Sequence, residues 1–72
     1  MTPRQARVRW MATPESWDDI VALYAGLETV AFWQPDGSLD VETRHGRERA
    51  PIGSWICRQA DGSIKVVAAN AF

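Results

Sequence analysis

The stretch Thr13-Pro-Glu-Ser-Trp-Asp-Asp-Ile-Val-Ala-Leu-Tyr-Ala-Gly26 decides the fold, because it carries helical rather than alternating spacing. Thr13 is a natural N-cap, and Pro14 suits the first helical position, where its missing N–H costs no hydrogen bond. Glu15, Asp18 and Asp19 place negative charge near the positive end of the helix dipole. Trp17, Ile20, Val21, Tyr24 and Leu27 follow the i, i+3, i+4, i+7 stripe of an amphipathic helix. Gly26 marks a C-terminal stop. The spacing predicts a helix over residues 14–25 with that stripe in the core.

Outward from the helix the chain reads as strands. In residues 7–11, RVRWM, charge alternates with Val8 and Trp10, the pattern of a half-buried strand with those two inward. Beyond the helix, residues 29–33 form the next strand candidate. Pro35-Asp-Gly-Ser38 is a strong turn, since proline sets φ and glycine accepts the positive φ. Residues 39–43 then alternate, with Leu39 and Val41 inward. A polar loop centred on His45-Gly46 is expected next, followed by strands over 54–58 and 64–67 joined by a turn at Asp61-Gly62. Gln34-Pro-Asp-Gly-Ser-Leu-Asp-Val41 and Gln59-Ala-Asp-Gly-Ser-Ile-Lys-Val66 share one pattern, as two hairpins choosing the same turn would. The expected class is α+β: one amphipathic helix on a small curved antiparallel sheet of about five strands, in the order β-α-β-β-β-β. A single domain covers residues 1–72, with residues 1–5 frayed.

Seventy-two residues enclose only a thin core. The four tryptophans, Trp10, Trp17, Trp33 and Trp55, must supply much of its burial. Four indoles with Phe32 and Tyr24 exceed what such a core holds, so one or two tryptophans are expected to stay partly exposed. The formal net charge of −1 argues against generic nucleic-acid binding, which depends on surplus Lys and Arg, and equally against a strongly acidic DNA mimic. Charge is unevenly spread. Arg4, Arg7 and Arg9 make the start basic, as do Arg44, Arg47 and Arg49 with His45, while Glu15 to Glu28 is acidic. That pattern is either solvated surface or a bipolar surface that orients a partner. Cys57 is the single cysteine, so no intrachain disulfide forms and a cytoplasmic setting is expected. No apolar run approaches the ~18 residues of a membrane helix, and no signal-peptide pattern opens the chain.

Chemistry-bearing motifs are sparse. His45, the single histidine, lies in a charged loop, and Glu42, Glu48 and Ser54 do not fall at a diagnostic spacing around it. Cys57 is mid-strand, with Arg58 on the opposite face. One His and one Cys on different elements make a zinc site improbable, and Asp36 and Asp61 read as turn formers. No catalytic, cofactor or metal site is therefore expected. Aromatics next to arginines are the better lead. Trp33 and Trp55, with Arg44, Arg47, Arg49 and Arg58, have the composition of an interface hot spot. The same composition would also stack a nucleotide base in an oligomer cleft. If Phe32 faces the helix, Trp33 faces outward, and Trp55 lies opposite Ile56; a homodimer mate is one way to cover such a face.

Residues across the chain also carry a family likeness. Asp36, Gly37, Leu39, Val41 and Thr43 form D-G-x-L-x-V-x-T, and Pro51, Gly53, Trp55 and Ile56 form P-x-G-x-W-I, with Arg58, Gly62 and Phe72 beyond. From about Ala6 to Phe72 this resembles small bacteriophage and prophage proteins with a P-G-D-W/Y-I-I-x-G-x-x-G-E-F-Y-P-C-like C-terminal motif. Gly53-Ser54 stands here for the usual Gly-Asp, and Lys65-Val66-Val67 replaces Tyr-Pro-Cys. The resemblance implies a fold and a phage setting, not a reaction. It leads to the expectation of a non-enzymatic accessory protein that binds a host or phage protein, with inhibition of a host defence system as one such role.

Overall fold

The computed structural model describes residues 6–71; residues 1–5, including Arg4 and the expected fraying, and Phe72 lie outside the described residues. Elements follow in the order β1 (Arg7–Arg9), α1 (Pro14–Leu23), β2 (Phe32–Trp33), β3 (Leu39–Thr43), β4 (Gly46–Ala50), β5 (Trp55–Arg58) and β6 (Ile64–Val67). The class is α+β, with one helix and two small antiparallel sheets, ordered β1-β5-β6 and β2-β3-β4.

Helix α1 begins as expected. The Thr13 hydroxyl accepts from the Ser16 amide, and the Ser16 hydroxyl accepts from the Thr13 amide, both at 3.1 Å. This reciprocal capping box satisfies amides that have no partner within the helix. The buried stripe is Ser16, Ile20, Leu23 and Tyr24. Val21, expected in the core, is exposed. The helix is rolled so that Ile20, Leu23 and Tyr24 meet the sheets, leaving Trp17 half-buried at the flank and Val21 one turn further out.

The twin turns are the same object. Gly37 N donates to Gln34 O at 2.9 Å and Gln34 N to Ser38 O at 2.8 Å; the second turn repeats both, Gly62 N to Gln59 O at 3.0 Å and Gln59 N to Ser63 O at 2.8 Å. Gly37 and Gly62 have φ of +93° and +89°. Each is a three-residue loop closed by a glycine bulge, a geometry that a side chain at the glycine would strain. In each the aspartate accepts from the amide and hydroxyl of the following serine, Asp36 from Ser38 and Asp61 from Ser63. Those bonds from Ser38 hold the Asp36 carboxyl below the usual carboxylate range.

Three expectations are corrected. The sheet is not one layer of five strands but two of three. The segment expected as a polar loop after Thr43 turns at once into β4, which pairs with β3 from Thr43↔Gly46 to Leu39↔Ala50. It escapes an apolar-alternation search because its outward residues are Arg47 and Arg49, and its inward ones Gly46, Glu48 and Ala50. Strand β2 is only Phe32–Trp33, not residues 29–33.

The two sheets close on one core: Trp10, Ile20, Leu23, Tyr24, Ala31, Leu39, Val41, Ala50, Ile56 and Ile64. Trp10, Leu39, Ala50 and Ile56 are wholly enclosed, as alternation from Val8, Leu39 and Val41 requires.

Candidate binding surfaces

Trp33 lies at the edge of the β2-β3-β4 sheet and opposite Leu39, on that sheet's core-facing side. Its ring centroid is 5.1 Å from that of Trp10 in a perpendicular contact, and 6.0 Å from that of Trp17. Trp10 and Trp17 also meet edge-on at 6.3 Å. Because β2 is an edge strand, this packing leaves Trp33 39% exposed while Trp10 is at 0%. The expected conditional is thus reversed: Phe32, not Trp33, points away from the core, under the Arg47 guanidinium at 5.4 Å.

Further apolar side chains extend the surface around Trp33. A Cβ placed on Gly37, in the turn that follows Trp33, would meet Ile52 Cδ1 at 3.0 Å and Ala12 Cβ at 3.9 Å. Ile52 is exposed, as is Met11 beside Ala12, and so is Val21, one helical turn beyond Trp17. Trp17, Trp33 and Ile52, at the turn that follows Trp33, thus form an apolar belt, and Met11 and Val21 are exposed nearby in the chain.

Trp55 is elsewhere. Alternation puts it on the face of β1-β5-β6 opposite Ile56 and the core, and its companions come from β1. The Arg7 guanidinium carbon lies 5.0 Å from its ring centroid and that of Arg9 lies 5.8 Å away. Arg7 and Arg9, and not the anticipated Arg47, Arg49 or Arg58, are the arginines over Trp55.

The other four arginines are placed differently from one another. Arg58 Nη1 donates to the carbonyls of Leu23 at 3.1 Å and Ala25 at 2.8 Å. The last turn of α1 carries no basic residue of its own, so this guanidinium supplies the positive charge that the helix C-terminus favours. Arg49 bonds Asp40 at 3.1 Å and approaches Asp36 at 3.9 Å, and Arg47 approaches Glu42 at 3.9 Å. The outer face of the β2-β3-β4 sheet is thus internally neutralised. Arg44 pairs with Asp61 and joins the tips of the two hairpins.

Beneath that pair lies a groove of about 600 Å³, lined among others by Arg44, His45, Glu48, Asp61 and Lys65. Glu48 shares a bond with the Thr43 hydroxyl at 3.0 Å. Ser54 stands at the far end of β5 from this groove, and Cys57 is on the Trp55 face. The structure does not bring His45 together with either possible nucleophile. Burial pushes the Cys57 thiol above its ordinary range, although Arg7 and Lys65 draw it down. Among the described residues no group of three or more His, Cys, Asp or Glu is placed to hold a metal, and no helix is long and apolar enough to cross a membrane.

Against protein-family models, curated proteins and solved structures, the chain gives no match.

Proposed function

We propose that this chain is a small phage-derived binding protein, not a catalyst, that acts in the host cytoplasm by contact with another protein. A component of a host defence system is the partner class that the family resemblance suggests. The reading is carried by Trp33. Its indole is exposed yet held by perpendicular contact with the enclosed Trp10 and by Trp17. An aromatic anchor fixed in advance loses little conformational entropy on binding. Exposed and held in this way, it has the character of a hot spot whose truncation costs ~2 kcal/mol or more of binding. The mixed-charge groove at the hairpin tips gives less support, since Arg44 and Asp61 satisfy one another there.

Capture from host extract on immobilised protein, followed by mass spectrometry, tests the reading. Wild type is expected to retain a specific protein that Trp33→Ala loses while keeping its circular dichroism spectrum. Equal retention by both proteins would remove the belt as the binding surface.

A further inference from the structure

The indole N–H groups distinguish the tryptophans of the belt from the one beneath them. Trp10 Nε1 donates to the Gly37 carbonyl at 2.9 Å and is satisfied inside the fold. The N–H groups of Trp17 and Trp33 have no hydrogen-bond partner among the described residues, and the Trp17 donor is not buried. Both rings reach the surface, Trp33 exposed and Trp17 half-buried. Their centroids are 6.0 Å apart and the rings are tilted by 38°. The belt therefore offers two adjoining aromatic rings, each with an open donor at its rim.

That combination narrows what would bind. The three indoles touch one another, with centroids 5.1 to 6.3 Å apart, and leave no cage for a quaternary ammonium group. An α-helix would cover the rings but bring no acceptors, because its main-chain carbonyls are bonded internally. A β-strand needs an open main-chain edge. Gln34 N donates to Ser38 O, so the Trp33 main chain does face the open side of β2. The next residue facing that way, Ala31, is buried, and one residue does not make a ladder. A polyproline II segment meets both demands. It has no internal hydrogen bonds, so its carbonyls are available as acceptors, and its proline rings pack on aromatic side chains. One turn, three residues and ~9 Å of chain, spans both indoles.

We infer, on the reading that the belt is a protein contact, that Trp17 and Trp33 take a proline-rich segment of the partner protein. The segment lies in polyproline II conformation, with its carbonyls accepting from the two indole N–H groups.

The probe is deca-proline, titrated against the full chain by calorimetry and by NMR of the indole N–H signals. Saturable binding is expected, with the Trp17 and Trp33 signals shifting downfield and that of Trp10, already bonded to Gly37, unmoved. Trp33→Ala should weaken binding by about tenfold or more. Trp17→Phe, which keeps an aromatic ring and removes the donor, should weaken it by about threefold or more. Lys65→Gln, exposed on the other sheet, should leave it unchanged. Circular dichroism establishes that each variant folds; Trp33→Phe carries the test if Trp33→Ala does not fold. The inference is overturned by absence of saturable binding, by equal binding in folded Trp33 and Trp17 variants, or by a glycine–serine decapeptide that binds as tightly. Tighter binding of cellohexaose would overturn it too, since a sugar also stacks on indoles. Displacement by deca-proline of the protein captured from host extract supports both the inference and the belt. Capture that needs Trp33 while deca-proline fails to bind overturns the proline chemistry alone. Deca-proline binding at Trp33 with no captured protein supports that chemistry and removes only the captured partner.

Discussion

Trp10 Nε1 donates to the Gly37 carbonyl at 2.9 Å, joining the end of one sheet to the hairpin turn of the other. The bond explains why this tryptophan, rather than Trp17, Trp33 or Trp55, is wholly enclosed: its one polar atom has a partner inside. It also fixes the base against which Trp33 rests. Trp10→Phe should lose that bond and leave a void, costing about 2–3 kcal/mol. Denaturant unfolding would measure this as a lowered midpoint; an unchanged midpoint would show that the two sheets do not need the link.

Ile20 is the centre of the helix stripe and is 1% exposed. Ile20→Ala should cost about 2–5 kcal/mol, enough to unfold most of so small a domain. Val21→Ala, one residue away and exposed, should fall within about 0.5 kcal/mol of wild type. Thermal melts that rank the two substitutions the other way would reverse the helix orientation described above.

Removing the Arg58 clasp on the end of α1 should destabilise the fold without touching the Trp33 belt. Arg58→Met retains much of the stem while losing two charge-assisted bonds, a change of about 1–3 kcal/mol. The expected result is a lowered melting temperature with partner capture intact. Intact stability with lost binding would instead make Arg58 an interface residue.

The Tyr24 hydroxyl is buried and has no hydrogen-bond partner among the described residues. Burial first, and the Glu42 carboxylate second, push it up to about 12 from an ordinary value of 10. Between those values the unfolded chain releases the phenolic proton while the folded chain keeps it. The unfolded state therefore binds fewer protons, and stability falls as pH rises from about 10 to 12. Tyr24→Phe should remove this part of the alkaline loss and be neutral or stabilising near neutral pH, since it deletes an unsatisfied polar atom. Urea midpoints measured across that pH range check both statements.

How much of this was legible in the chain depended on how local the physics was. Gln34 to Ser38 and Gln59 to Ser63 announced their turns because every bond that closes them lies within five residues. The capping box at Thr13 and Ser16 was local for the same reason. Strand β4 was hidden because its register is written in charge, not in apolar alternation. Asp40 and Glu42 mirror Arg49 and Arg47 across the Arg44-His45 turn, the signal that would have revealed the hairpin. The division into two sheets rests on β1 pairing with β5, far along the chain, which no local pattern encodes. Among site residues, Trp33 and Trp55 stood out because a thin core cannot hold every indole. Their neighbours did not, since Arg7 and Arg9 reach Trp55 only through that distant pairing, and Arg58 meets the helix end across a similar gap.

Photo-crosslinking in living cells shows whether the Trp33 belt contacts another protein. Benzoyl-phenylalanine installed in place of Ile52 lies at the belt; the same group in place of Ala60, in the β5–β6 turn, lies outside it. A discrete covalent adduct with one protein is expected from position 52, fading when Trp33→Ala is added, and none is expected from position 60. An adduct from position 60 alone, or one from position 52 that Trp33→Ala leaves undiminished, would contradict it.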